Sequence, residues 1–246
     1  MIQNQLFWLH IKKSAGISTR CLLQPYYTEV DRVKKPKTFI QATPEEYNDI
    51  LNNYRVVLGE YQFKRCLFAK KFLYTETWDD LSSFAFSREP TDRCISMFYY
   101  LFWKNHNHLK NVMRSIQKSV KNKTWFQYNA AYAFDVFLDY VHEARLSDSI
   151  YHPLGNEFTT HTAPMWDDIT DYEGNVLLKQ VYRLDSLIEG INLTFEQCGI
   201  AKRLDGNDKP LNKNIRRKEY IPSKRQKKII EDIYYKDFEV YENAWH

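Results

Sequence analysis

The chain has 246 residues, 16% of them aromatic, with 18 Tyr and 15 Phe but only 7 Gly and 8 Pro. That is core material for one domain, with about three quarters of the unfolded surface buried, and it excludes a fibrous or low-complexity chain. A formal net charge of +4 suits an anionic ligand but falls short of a histone-like nucleic-acid binder.

The four cysteines (Cys21, Cys66, Cys94, Cys198) form no C-x-x-C pair, so a zinc ribbon or thioredoxin-type site is not expected, and they read as reduced, mostly buried thiols. No run of about 18 apolar residues is present, so no membrane span is expected. The N-terminus lacks the charged-then-apolar pattern of a secretory signal, and the expected location is cytoplasmic.

In chain order, Leu6–His10 reads as a short buried strand, apolar without alternation, as in a parallel sheet. Ser14–Leu23 is a loop turning into a helix. Tyr26–Thr43 reads as an exposed loop, and Thr43-Pro44-Glu45-Glu46 as the start of a helix that reaches Asn52. Tyr54–Glu60 reads as a second strand and Phe84–Ser87 as a third, followed by Arg88-Glu89-Pro90. A helical pattern begins at Thr91, with Ile95, Phe98, Tyr99 and Phe102 in register. Asn105–Lys123 is polar and basic. Ala130–Ala144 carries Phe134, Phe137, Leu138 and Val141 on one helical face. His152–Asp171 reads as irregular, Lys179–Leu187 as a strand entering a helix that ends near Cys198-Gly199, and Asp205–Arg217 as a polar loop. Ser223 and Gln226 have capping-box spacing for a last helix through Tyr234. Strands separated by helices predict a single α/β domain over residues 1–246, with a central parallel sheet flanked by helices.

Two segments carry the chemistry. "HIKKSAGIST" (His10–Thr19) is a strand end, a tight loop and a helix start. Loop N–H groups, helix N-terminus and lysine together make an anion cradle. Lys13 supplies charge, Gly16 allows close backbone approach, and Ser18 and Thr19 offer hydroxyls. The segment is not a nucleotide-hydrolase P-loop, because its lysine precedes its only glycine. "FAFSREPTDRCISMFYY" (Phe84–Tyr100) puts Arg88 at a strand end and Ser96 in the following helix, where the two can converge on one phosphate.

These motifs resemble carbohydrate sulfotransferases of the heparan-sulfate type. "HIKKSAGIS" is similar to their H-I-P-K-T-A-G-[TS]-S loop, and the second segment to T-[FVL]-L-R-D-P-x-x-R-x-x-S-x-Y-Y. "VVLGEYQF", "VYRLDSLIEGINLTFEQCGI", "LNKNI" and "IIEDIYYKDFEVYE" carry weaker echoes of later family segments. The resemblance implies a soluble, bacterial-type member with a P-loop-kinase-like sulfotransferase fold. It implies 3′-phosphoadenosine 5′-phosphosulfate (PAPS) as donor, 3′,5′-adenosine bisphosphate (PAP) as product, and no metal. Lys12, Lys13, Ser14, Ala15, Gly16, Ile17, Ser18 and Thr19 then hold the 5′-phosphosulfate, and Arg88 and Ser96 the 3′-phosphate. Arg216 and Arg217 in the late basic loop are further donor contacts.

Lys13 is the expected catalytic cation. Glu60 occupies the place of the family's histidine in G-H-x-x-F and is the expected base, with His10 as competitor and loop orienter. His161 and Trp166 are expected to line the acceptor site with Glu60. Lys12 replaces the family's proline and Ile17 a common threonine. The acceptor expected is a small molecule or carbohydrate, taken by O-sulfation, with neither nucleic acid nor membrane as partner. Two other readings fit parts of the sequence: a P-loop-like nucleotide kinase, and a non-catalytic nucleic-acid-binding module using Lys104–Lys123 and Arg216–Lys228.

Overall fold

The computed structural model describes residues 5–26, 58–103, 130–146, 152, 154–205 and 220–246. The expected helix over Thr43–Asn52, the basic stretch Asn105–Lys123 and the Arg216–Arg217 loop lie outside the described residues.

The described architecture is an α/β fold. Strand β1 (Leu6–Leu9) leads into helix α1 (Gly16–Leu23). After a 3-10 turn over Gly59–Tyr61 come α2 (Arg65–Phe68) and a π-helical turn over Ala69–Leu73. Strand β2 (Ser82–Ser87) is followed by α3 (Pro90–Met97), which runs into a π-helical stretch over Phe98–Trp103. Then come α4 (Ala130–Leu146), α5 (Gly155–Thr162), α6 (Met165–Ile169), β3 (Gln180–Arg183), α7 (Leu187–Gln197) and α8 (Lys224–Glu242).

The three strands form one parallel sheet in the order β1-β2-β3, with Trp8 beside Phe84 and Phe84 beside Gln180. Both faces are covered, which explains why β1 is apolar at every position. On one face Phe7, Leu9 and Ala85 pack with Cys66, Phe68, Trp78 and Met165. On the other, Leu6, Trp8, Phe84, Phe86 and Tyr182 pack with Ile191 and Phe195 of α7. Helix and sheet approach closely at Gly190, where a Cβ would lie 2.8 Å from the Tyr182 ring. The chain end joins this edge: the Trp245 N–H donates to the Val181 carbonyl at 2.9 Å.

A third cluster is helical. The predicted stripe on α4 (Phe134, Phe137, Leu138, Val141) meets Met97, Phe98, Ile230 and Tyr234. Helix α8 starts where the sequence places it, with Ser223 and Gln226 capping each other's backbone N–H groups.

Three expectations need correction. Leu58 is not in a strand, and Gly59-Glu60-Tyr61 is a 3-10 turn rather than a strand end. Residues 152–171 hold two helices, α5 and α6. Their buried side includes Thr159, Thr160, His161, Thr162 and Asp168, so no apolar period shows in the sequence. Helix α8 continues past Tyr234 to Glu242 with a kink at Tyr234, and its buried face there carries Asp237, a residue the hydrophobic pattern cannot count. Of the cysteines, only Cys66 and Cys94 are buried, while Cys21 is exposed and Cys198 half-buried; all four are free thiols.

Candidate active site

The site is built on the crossing from β1 to α1. Within it, Lys13 (φ 67) and Ala15 (φ 53) both take left-handed backbone conformations. Each costs a non-glycine residue on the order of 1 kcal/mol, so the surroundings must hold the loop in place. They do so through two arginines from the segment after β2. The Arg93 Nε donates to the Lys12 carbonyl at 3.1 Å, and the Arg88 guanidinium donates to the Lys13 carbonyl at 3.4 Å.

Arg93 is itself held firmly. It pairs with Asp237 at 3.2 Å and donates to the Ala163 carbonyl at 2.7 Å. Asp237 in turn accepts from the Met165 and Trp166 N–H groups at 2.9 Å, so one buried carboxylate also caps α6. The loop thus rests on a frame drawn from α3, α6 and α8. The sequence reading assigned Arg93 no role, although it is the second arginine of the quoted R-x-x-x-x-R motif, and nothing in the sequence marks Asp237 as its partner.

The interior of the loop is polar and crowded. Ser14 is 2% exposed, and its Oγ has no hydrogen-bond partner among the described residues. A buried hydroxyl in that state is costly unless a ligand completes it. Gly16 is required by close approach: a Cβ there would come 1.6 Å from the His10 Nε2. His10 stacks on Trp8 and has its Nδ1 buried without a partner among the described residues. Burial, then Lys12 and Arg65, hold the His10 pKa well below the usual histidine value. Ser18 is also buried. Thr19 departs from expectation, because its hydroxyl donates back to the Ala15 carbonyl at 3.2 Å. Ile17 is exposed, pointing away from the loop's interior.

Beside the loop lies a cluster from the π-helical stretch and α5. The Lys13 ammonium sits 4.1 Å from the centre of the Tyr100 ring. The His161 ring stacks on the same tyrosine, centroids 5.0 Å apart. The Tyr100 hydroxyl donates to the Glu157 carboxylate at 3.2 Å, and the His161 Nδ1 lies 2.7 Å from the Glu157 carbonyl oxygen. That carbonyl can only accept, so Nδ1 carries the proton and Nε2 the lone pair. Burial, then Lys12, depress the His161 pKa, keeping the ring neutral. Lys12, 5% exposed, is brought down to about 7 by burial and by Arg65. Arg65 forms a buried two-bond ion pair with Asp168 and donates to the His10 carbonyl at 3.3 Å.

The sequence-predicted residues therefore divide. His10, Lys12, Lys13, Ser14, Gly16, Arg88 and His161 converge on the loop. Ser96 is buried on α3, the helix that carries Arg93. Trp166 packs its ring under Lys236, 5.3 Å from the ammonium, and beside Gly174 rather than on the loop. Glu60 is exposed on its 3-10 turn, close enough to act electrostatically on Tyr172. Tyr100 and Glu157, both central here, were not assigned roles; only the aromatic end of the Arg88 segment pointed toward the former.

The sequence profile of the sulfotransferase family matches residues 3–243. This chain belongs to the sulfotransferase family. No curated protein and no solved structure matches it. The sulfotransferase is accordingly an enzyme that transfers sulfate, which displaces the nucleotide-kinase reading. Among its described residues no helix is long and apolar enough to cross a membrane, and no three His, Cys, Asp or Glu side chains gather as a metal set.

Proposed function

We propose that this sulfotransferase moves a sulfuryl group from PAPS to a hydroxyl of a small-molecule or carbohydrate acceptor. The observation that carries this reading is the loop itself. It combines a left-handed Lys13, a buried Ser14 Oγ with no hydrogen-bond partner among the described residues, and the N-terminus of an eight-residue helix, features that suit an anion. In the reaction the bond from sulfur to the phosphate oxygen breaks as a bond from sulfur to the acceptor oxygen forms. Negative charge grows on the departing phosphate, and Lys13 stabilises it there. Arg88 and Ser96 hold the 3′-phosphate, the group that distinguishes this donor from ATP. His161, stacked on Tyr100, lines the acceptor site.

Glu60 is proposed to take the acceptor's proton. Because it is exposed, the acceptor must supply the desolvation that makes a carboxylate basic. A specific observation favours a second reading: Glu157 is joined to Tyr100, the ring that carries the Lys13 ammonium.

Thermal unfolding with PAP, against ADP and magnesium-ATP, tests the donor. A ligand at 100 times its Kd stabilises by about 2.7 kcal/mol, a shift of several degrees at this size, since each kcal/mol moves Tm by roughly 2–4 °C. PAP alone is expected to act. A shift with magnesium-ATP and none with PAP overturns the proposal.

A further inference from the structure

Residues 161–166 join the end of α5 to the start of α6. Three buried side chains from other helices hold the backbone there. The Arg93 Nη2 donates to the His161 carbonyl at 3.4 Å and to the Ala163 carbonyl at 2.7 Å. The Tyr234 hydroxyl donates to the Thr162 carbonyl between them at 2.8 Å. The two Asp237 oxygens accept from the Met165 and Trp166 N–H groups at 2.9 Å. Arg93 pairs with Asp237 at 3.2 Å and lies 5.9 Å from the Tyr234 ring centre, so the three side chains form one unit. The same guanidinium reaches the donor loop, where its Nε donates to the Lys12 carbonyl at 3.1 Å. That carbonyl lies in the peptide plane whose rotation sets φ of Lys13. Fixing its direction holds Lys13 in the left-handed region (φ 67). Arg93 therefore ties the backbone of Lys13 to that of His161, the histidine placed on the acceptor side above. Opening either end strands a buried charge or a buried carbonyl, so the set moves together.

We propose that Arg93 is a positioning residue that couples the donor loop to residues 161–166. The donor binds the arrangement in which Arg93 holds the Lys12 carbonyl. The same arrangement closes the contacts to His161, Ala163 and, through Asp237, to Met165 and Trp166. Donor occupancy thus tightens the segment that carries His161, by favouring one state of a shared equilibrium. The inference rests on the donor reading above.

The test is amide hydrogen exchange of the full chain with and without PAP, alongside calorimetry of PAP binding. A ligand at 100 times its Kd slows exchange by about 100-fold at any amide whose opening abolishes binding. Thr19, bonded to the Ala15 carbonyl in the donor loop, reports the site, and Ile200, bonded to the Phe195 carbonyl behind α7, is the reference. Met165 and Trp166 are expected to slow with Thr19, by at least about tenfold more than Ile200. Arg93→Lys keeps a cation for Asp237 but loses the fork that reaches three carbonyls. In that variant PAP is expected to slow Thr19 without slowing Met165 and Trp166. If Arg93→Lys does not fold, Asp237→Asn, which breaks the ion pair and leaves the Lys12 contact, is expected to uncouple the same amides. Slowing at Thr19 alone in the wild type overturns the inference and leaves the donor reading standing. Equal slowing at Ile200 traces the effect to global stability and overturns it too. Coupling that survives in the variants overturns it by assigning the link to another contact. Failure of PAP to bind the wild type overturns the donor reading, and this inference with it.

Discussion

The Lys13 ammonium lies 4.1 Å from the centroid of the Tyr100 ring, and that ring also stacks on His161 and donates its hydroxyl to Glu157. One aromatic side chain thus positions a cation, a neutral imidazole and a carboxylate. A cation–π contact contributes about 0.5–2 kcal/mol, which corresponds to a roughly 2- to 30-fold change in affinity. Tyr100→Leu is expected to weaken PAP binding within that range, because Lys13 loses its support. Tyr100→Phe keeps the ring and is expected to bind PAP like the wild type. Calorimetric Kd values for the two variants check this; equal weakening in both would place the effect at the hydroxyl instead.

The two carboxylates can be separated by kinetics. Glu60→Gln is expected to lower kcat by about 10²–10⁴, the usual contribution of a general base, with the PAP Kd unchanged. Glu157→Gln is expected to lower kcat by less than about tenfold, through the loosened Tyr100. The reverse order would transfer the proton-accepting role to Glu157.

Lys12 also predicts a pH dependence of stability. Its folded pKa of about 7 lies below the unfolded value. Between pH 7 and about 10 the unfolded chain therefore binds more protons than the folded one, and stability rises with pH. The full span amounts to about 5 kcal/mol. The depressed pKa values of His10 and His161 act only below about pH 6.5. The buried thiols Cys66 and Cys94, whose pKa values are raised, oppose the trend above about pH 8.5, where unfolded thiols ionise. Urea unfolding from pH 7 to 8.5 should show the rise in the wild type and not in Lys12→Met.

What the sequence disclosed follows from where information is local. The strand–loop–helix of His10–Thr19 and the Arg88 segment are contiguous, so their chemistry is readable from spacing. Lys13, Gly16 and Arg88 accordingly meet in the structure. Glu157 and Asp237 act across the fold, 57 residues from Tyr100 and 144 from Arg93. No short-range pattern announces such pairs. Helices α5 and α6 were hidden for a related reason: they bury threonines, His161 and Asp168 instead of an apolar stripe. The short Glu60 turn was read as strand because Val56-Val57-Leu58 is β-rich, while a left-handed Gly59 (φ 61) already redirects the chain.

His10 and Gly16 form a size-matched pair. An alanine methyl at position 16 would overlap the imidazole at 1.6 Å, so the ring must leave its stack on Trp8. Overpacking of this kind costs about 1–3 kcal/mol. Gly16→Ala is expected to lose that stability and most PAP binding. In the Gly16→Ala background, His10→Ala is expected to restore stability, since it removes the overlap. A double-mutant cycle by urea unfolding measures the coupling, and additive effects would contradict the packing argument.

The buried pair of Arg93 and Asp237 is the support whose loss should be felt most. Both side chains are at most 2% exposed, and the pair connects the Lys12 carbonyl, the Ala163 carbonyl and the N-terminus of α6. Removing one partner leaves the other charge buried and uncompensated, which costs about 3–5 kcal/mol. Arg93→Met should therefore lower Tm by roughly 6–20 °C for a protein of this size. Replacing both residues, Arg93→Met with Asp237→Leu, removes the stranded carboxylate and should recover a large part of that loss. The double variant still lacks the Nε donor that holds the Lys12 carbonyl, so PAP affinity should stay low while Tm recovers. Recovery of both together would mean that the ion pair stabilises the fold without positioning the loop.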